Sequence, residues 1–369
     1  MKKYLQIIVV LFFVVSYIKA ENKKIEISLT NAANISLNDF SVKLNFDELK
    51  TNNSGLKECN FIITDGEETL PSQVFNAGNK TKLIFNVNLK AKETKVVSLV
   101  YGEDVKQPEY KTRVHAELSM KPTDVYYEKR FRGSEFKSVK RIKVPAIHTD
   151  HDALFRYEGP GWESELIGYR FYLDWRNTTD IFGKKTNKLL LSTVGVHDTV
   201  AKDDSYHSMQ DWGMDIFKVG STLGIGSISM FADNKVNMVS KTDSVWCEIT
   251  STGPVRAEIK TEYYGWLVGE KKYNLESKIS ICAGSKLSKV DLAIQDADNM
   301  TTGLAKHPNT EMFESKTNGN WNYIALYGKQ SLAGEEDKLG IALFYKESQK
   351  IEVTEDPINY IVKLKPNDG

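Results

Sequence analysis

The sequence predicts an all-β protein, a small N-terminal β-sandwich followed by a large, mostly antiparallel domain that stacks two broad sheets. Three observations predict it. Residues 21–105 hold five short runs rich in Val, Ile, Leu and Phe, separated by turn residues. Residues 144–369 hold nine more such runs. No region carries a long apolar stripe at the 3.6-residue helical period.

The chain begins with a targeting pattern. Lys2 and Lys3 give a positive start, LQIIVVLFFVV is apolar, and Ala20 precedes Glu21. Residues 1–20 therefore read as a secretory signal peptide. The apolar run is short of the ~20 residues that cross a bilayer. Ile18 departs from the ideal small-residue cleavage site, and no Cys follows to carry a lipid anchor. The expectation is an exported protein, periplasmic or secreted, with no stable membrane insertion.

In residues 21–105 the strands are KIEISLTN, FSVKLNFD, CNFIITDG, KLIFNVNL and KVVSLVYG. NAANIS, DELKTNNSG, DGEETLPS, NAGNKT and KAKET separate them as turns. Even spacing of short strands reads as an immunoglobulin-sized sandwich. Residues 106–143 change character and carry a basic run, read as a linker with a solvated face and the entry strand of the next domain. Residues 144–369 resume the strand pattern with RFYLDWR, KLLLSTVGV, LGIGSISMFA, SVWCEITSTG, VRAEIKTEYYGW, YNLESKISICA, SKVDLAIQ, WNYIALYG and KLGIALFYK. SYHSMQDWGMDIFKVG between them is the best candidate for a short helix or ordered loop.

Composition excludes some functions. Forty-nine basic residues balance 49 acidic ones, so no basic excess recommends nucleic acid as a partner. There is no phosphate-binding glycine loop, and Gly224-Ile225-Gly226 lacks the third glycine of a dinucleotide fingerprint. No cofactor is expected. Cys59, Cys247 and Cys282 are odd in number. A Cys247–Cys282 disulfide suits an oxidising compartment, and buried free thiols fit at least as well. His148, Asp150, His151 and Asp152 are metal-ligand types, but such loops are more often metal-free, and no metal is assigned.

Chemistry concentrates between Arg156 and Gly226. Trp162, Trp175 and Trp212 are half of the chain's six tryptophans, and His197 and His207 lie there too. Aromatic platforms beside arginines suit an anionic ligand with apolar faces, such as an acidic sugar. Any single aromatic in a β-rich chain is more often core. Arg156, Arg170, Arg176 and Lys184 are the candidate carboxylate or sulfate clamps. Each is individually better explained by an ion pair with Glu158, Glu163, Asp174 or Asp180. Tyr206-His207 with Asp211 four residues on reads as a general base and its orienting carboxylate, if one helical turn joins them.

EGPGWESELIGYRFYLDWRNTTDIFGKKT, SYHSMQDWGMDIFKVGSTLGIGS and STGPVRAEIKTEYYGW together resemble the DUF4861 family, exported proteins of polysaccharide-degrading bacteria. The resemblance covers most of residues 25–369. It implies a β-sandwich followed by a supersandwich of the galactose-mutarotase type. It also implies an oligosaccharide dehydratase that removes water from a non-reducing-end glucuronic or iduronic acid of ulvan-type or pectin-type oligosaccharides, leaving a 4,5-unsaturated uronate.

Such an elimination needs a base, an acid and a cation that neutralises the carboxylate. On chemical grounds His207 is the expected base with Asp211 behind it. Tyr206 or Tyr172 is the acid, Arg170, Arg176 or Lys184 the clamp, and Trp162 and Trp212 the sugar platforms. His307, in a polar Pro-containing loop, is a second base candidate. The expected partner is an acidic oligosaccharide, sulfated or not. Two alternatives stay open: a polysaccharide lyase, which expels a sugar rather than water, and a non-catalytic sugar-binding protein.

Overall fold

The computed structural model describes residues 7–12, 22–122, 125–132, 135–195, 205–315 and 319–367. The protein is all-β, with one α-helix and antiparallel sheets among the described residues. Among the described residues no helix is long and apolar enough to cross a membrane.

The chain divides into two compact units, and the division is not contiguous. The first comprises residues up to His115 with Ser251–Ala257 and Ile281–Leu287, and the second holds the rest. The linear division at 105 and 143 misses these two returning segments. They join the first unit through side-chain amides. Gln73 Oε1 accepts the N–H groups of Val255 and Arg256, and Asn86 Nδ2 donates to Ala283 O. No local sequence pattern announces such pairings.

The first unit stacks two sheets. One has strand order Ile7–Phe12, Lys23–Asn31, Thr94–Tyr101, Phe61–Asp65, Glu68–Leu70. The other has order Leu37–Asn45, Lys80–Leu89, Ser72–Ala77. Period-2 alternation drives the packing. Ile25, Ile27 and Leu29, with their cross-strand neighbours Val97 and Leu99, share one buried cluster with Leu83, Phe85 and Val87 of the other sheet. Ile7–Phe12 runs antiparallel along Lys23–Asn31. The cut expected after Ala20 lies outside the described residues. Phe46–Asn52, expected as the end of a strand and the turn after it, is a two-turn α-helix. Phe46 and Leu49, three apart, both point into the core, and Asp47 and Glu48 suit the helix N-terminus.

The second unit holds most of the strands. One sheet, all but a few strand-end residues of it in this unit, runs Arg141–Lys143, Ser244–Ser251, Arg256–Val268, Lys271–Cys282, Ser288–Ile294. A second contains Gly213–Asp215, Thr179–Lys184, Ile167–Phe171 and Gly161–Ser164 in that order. A third runs Lys235–Met238, Ser229–Ala232, Met300–Ala305, Asn359–Leu364, Lys350–Glu355, and a three-stranded sheet runs Thr310–Glu314, Trp321–Gly328, Leu339–Lys346.

Two local expectations change. KLLLSTVGV is not a strand over its described part, since Leu191–Gly195 turns. The buried Glu163 carboxylate takes the N–H groups of Leu190 and Leu191, which a sheet neighbour would otherwise bond. SYHSMQDWGMDIFKVG, expected as a short helix or ordered loop, has a 3-10 turn at Ser205–His207 and a loop, but then adds the unexpected strand Gly213–Asp215. All three cysteines are free thiols, so Cys247 and Cys282 form no disulfide. Burial pushes the Cys247 thiol up to about 12, so it is inert as a nucleophile.

Candidate active site

Three adjacent strands of the second sheet build the site. Arg170 lies opposite Asp180, and Phe182 lies opposite both Gly168 and Asp215. Asp180 and Phe182 are two apart on one strand and so share a face. Register therefore brings Arg170, Asp180 and Asp215 together, although 45 residues separate the first from the last.

The contacts are direct. Arg170 Nη2 donates to Asp180 Oδ2 at 2.9 Å and to Asp215 Oδ2 at 2.5 Å. Its Nη1 donates to Tyr206 Oη at 3.3 Å and lies 3.7 Å from Glu158 Oε2. Tyr172 Oη accepts from Arg170 Nη2 at 3.0 Å and donates to Asp180 Oδ2 at 2.8 Å. Arg170 is 1% exposed. A buried guanidinium needs such a surround, because an uncompensated buried charge is very costly.

A second arginine continues the cluster outward. Arg176 pairs with Asp174 and donates through Nη2 to Glu158 Oε1 at 2.6 Å. Its guanidinium carbon lies 3.9 Å from the Tyr172 ring centroid, a cation–π contact. Burial pushes the Glu158 carboxyl up, but Arg170 and Arg176 outweigh it and hold it below its ordinary range. At the rim His151 Nδ1 lies 3.8 Å from Glu158 Oε1. Half-exposed Trp175 donates from Nε1 to Asp150 Oδ1 at 3.0 Å.

The 3-10 turn supplies the solvent side. Tyr206 points inward to Arg170, while the His207 side chain is 43% exposed, with Nε2 3.6 Å from Asp215 Oδ2. Burial raises the Asp215 carboxyl to about 7, helped by neighbouring Asp180 and opposed by Arg170. A bond of 2.5 Å to a guanidinium would by itself lower it. Burial prevails because the Arg170 charge is shared with Asp180 and Glu158.

The raised carboxyl has a consequence for stability. Between the ordinary 3.8 and about 7, the folded chain keeps a proton that the unfolded chain has released. Stability from this group is therefore full below about 4, declines as pH rises to 7 and is flat above. Asp215→Asn removes that dependence. The stability of the variant minus that of the wild type should increase from pH 4.5 to pH 7.5 in urea titrations. A difference constant with pH would show that Asp215 is not raised.

Several sequence expectations change here. The carboxylate placed against His207 is Asp215, not Asp211. The helical segment stops at His207, so the four-residue spacing never closes a turn, and Asp211 is exposed. Trp162 is core rather than a sugar platform: it is 1% exposed, stacks on Tyr169 and donates Nε1 to Ser288 Oγ. Trp212 is half-buried against the edge of Phe182. Lys184 is no clamp, since its ammonium is buried on Glu163 at 2.7 Å. Arg156 is likewise held by Glu117 and by Leu191 O and Ser192 O.

Tyr172 and Tyr206 do reach the cluster but are buried, and burial raises the Tyr172 phenol. His307 packs on Phe217, its ring centroid 5.0 Å away, and burial lowers its pKa. The HTDHD loop gathers no set of three metal-ligand residues among the described residues. His148 Nδ1 pairs with Asp152 Oδ2 at 2.8 Å instead. His197 lies outside the described residues.

Asp215 was missed. It ends a three-residue strand, and nothing in its neighbourhood along the chain pairs it with Arg170 or His207. Glu158, Asp174 and Asp180 were legible only as ion-pair partners of the arginines.

The chain matches the family described as DUF4861, a domain of unknown function, over residues 29–369. It is also 30% identical over 125 residues to a protein of Formosa agariphila named "Uncharacterized protein P7". That match spans 33% of this chain and 31% of the relative. No solved structure matches.

Proposed function

This chain belongs to the DUF4861 family, and from that premise we propose that it is a hydro-lyase acting on uronate-ended oligosaccharides outside the cytoplasm. The observation that carries the reading is the solvent-facing His207 beside an Asp215 carboxyl raised to about 7. A carboxyl that exchanges its proton near neutral pH, 3.6 Å from an imidazole that a ligand can reach, makes a proton-transfer centre.

In the proposed reaction His207 takes the proton from the carbon beside the uronate carboxylate. The C–O bond to the neighbouring hydroxyl breaks, and that hydroxyl leaves as water with a proton returned through the His207–Asp215 pair. One carbon–carbon double bond forms, one water is released, and the pair ends as it began. Arg176 suits the substrate carboxylate best, since its Nη1 takes part in none of its bonds to Asp174 and Glu158. Arg170 has a different role, holding Asp180, Asp215, Tyr172 and Tyr206 in one arrangement. Placing these groups before substrate arrives is what lets a site stabilise developing charge. Trp175, exposed at the rim, is the aromatic best placed to meet a sugar face.

The test uses defined uronate-ended oligosaccharides, with ultraviolet absorbance and mass followed together. Rising absorbance with loss of one water and an intact chain is the expected result. Rising absorbance with two shorter fragments would make the protein a polysaccharide lyase. Binding with no turnover would leave a recognition protein.

A further inference from the structure

The three-stranded sheet near the C-terminus has two unlike faces. Along Trp321–Gly328, Asn322, Ile324 and Leu326 are buried, so Trp321, Tyr323, Ala325 and Tyr327 point the other way. Register places Phe344 opposite Tyr323 and Phe313 opposite Ala325 on that outer face. Trp321 is 53% exposed and Tyr327 51%, with Phe344 and Phe313 close behind. Exposed aromatics scattered singly need no explanation, but a contiguous group on one sheet face does. Ala342 and Gly340, opposite Ala325 and Tyr327, keep the floor between the rings low.

Two cations attend the row. Lys346 Nζ lies 5.9 Å from the Trp321 ring centroid and Lys338 Nζ 6.0 Å from that of Tyr327. They mark opposite ends, since Trp321 and Tyr327 are about 20 Å apart at ~3.4 Å per strand residue. Glu311, opposite Tyr327, is the carboxylate that register sets on this face. A row of rings with a lysine at each end suits a ligand that is long, flat-faced and anionic. It suits a protein partner less well, because lysine is depleted from protein interfaces.

We propose that this face binds an extended acidic polysaccharide, its sugar faces stacking on Trp321, Tyr323 and Tyr327 and its anionic groups meeting Lys346 and Lys338. None of these residues belongs to the His207–Asp215 cluster, so this is a second carbohydrate site. It rests on the reading that the protein's ligand is an acidic sugar. It adds that the long polymer is held at a place separate from the one where chain ends react.

The test is electrophoresis through gels containing polygalacturonate or a neutral β-glucan. Polygalacturonate should retard the wild-type chain and the neutral glucan should not. Trp321→Ala with Tyr327→Ala should weaken retardation about tenfold or more, the expected loss for two stacked rings. Lys338→Ser with Lys346→Ser should weaken it and flatten its salt dependence. Both pairs of substitutions lie on the surface and should leave turnover of short oligosaccharides unchanged.

An unretarded wild type, or equal retardation of the aromatic variant, overturns the proposal. So does a dimer in light scattering that the aromatic variant abolishes, which would make the face a self-association surface. Retardation lost in the variant, from a protein that turns over no oligosaccharide, would sink the hydro-lyase reading and leave this site standing.

Discussion

Arg170→Met should lower the stability of the second unit by about 3–5 kcal/mol at pH 8, the usual cost of removing one partner from a buried ion pair. The substitution keeps an unbranched, apolar stem and removes the guanidinium and its charge. Asp180 and Asp215 are then left buried without the guanidinium that bonds them at 2.9 and 2.5 Å. The loss should shrink below pH 7, where Asp215 holds its proton and needs no cation. Adding Asp215→Asn to Arg170→Met should recover part of the stability at pH 8, because the residual charge is gone. All six tryptophans lie in the second unit, so their fluorescence in urea reports its unfolding. A single variant that unfolds at the wild-type urea concentration throughout pH 5–8 would mean that Arg170 is not the electrostatic centre of this cluster.

His207→Ala should lower turnover of uronate-ended oligosaccharides by about 10²–10⁴-fold, the range that a positioned proton-transfer group supplies. It should cost little stability, because the imidazole is 43% exposed and sits on a short 3-10 turn. Activity and folding are thereby separable, which they are not for Arg170. Asp215→Asn should lower turnover too and shift the pH profile, because it removes the carboxyl that titrates near 7. Asp211→Ala should leave both unchanged, since Asp211 is exposed beyond the turn. If His207→Ala turns over substrate at the wild-type rate, the proton-transfer role falls and His307 becomes the histidine to test.

Alternation made the fold legible. Ile25, Ile27 and Leu29 could be assigned to a core face from spacing alone, because a strand's period of two is a property of the local backbone. The same rule failed at KLLLSTVGV. Leu190 and Leu191 look like strand residues, but their N–H groups belong to Glu163, 27 and 28 residues away. The helix at Phe46–Asn52 was missed for a related reason. Two polar turns with Phe46 and Leu49 on one side give too short a pattern to stand out from a loop.

The candidate site divides in the same way. Sequence by itself determined the β class, the balanced charge, and the segment in which Arg170, Arg176, Tyr172 and His207 gather. Those are matters of composition and of period along the chain. Only the tertiary structure decided which carboxylate stands behind His207, which tryptophans are core, and which cations are already spent. Asp215 meets Arg170 because strand register across Thr179–Lys184 aligns them, and Lys184 is removed from the site because Glu163 lies buried beside it. Burial then does what no local pattern encodes: it raises one carboxyl toward neutrality and leaves one imidazole facing solvent.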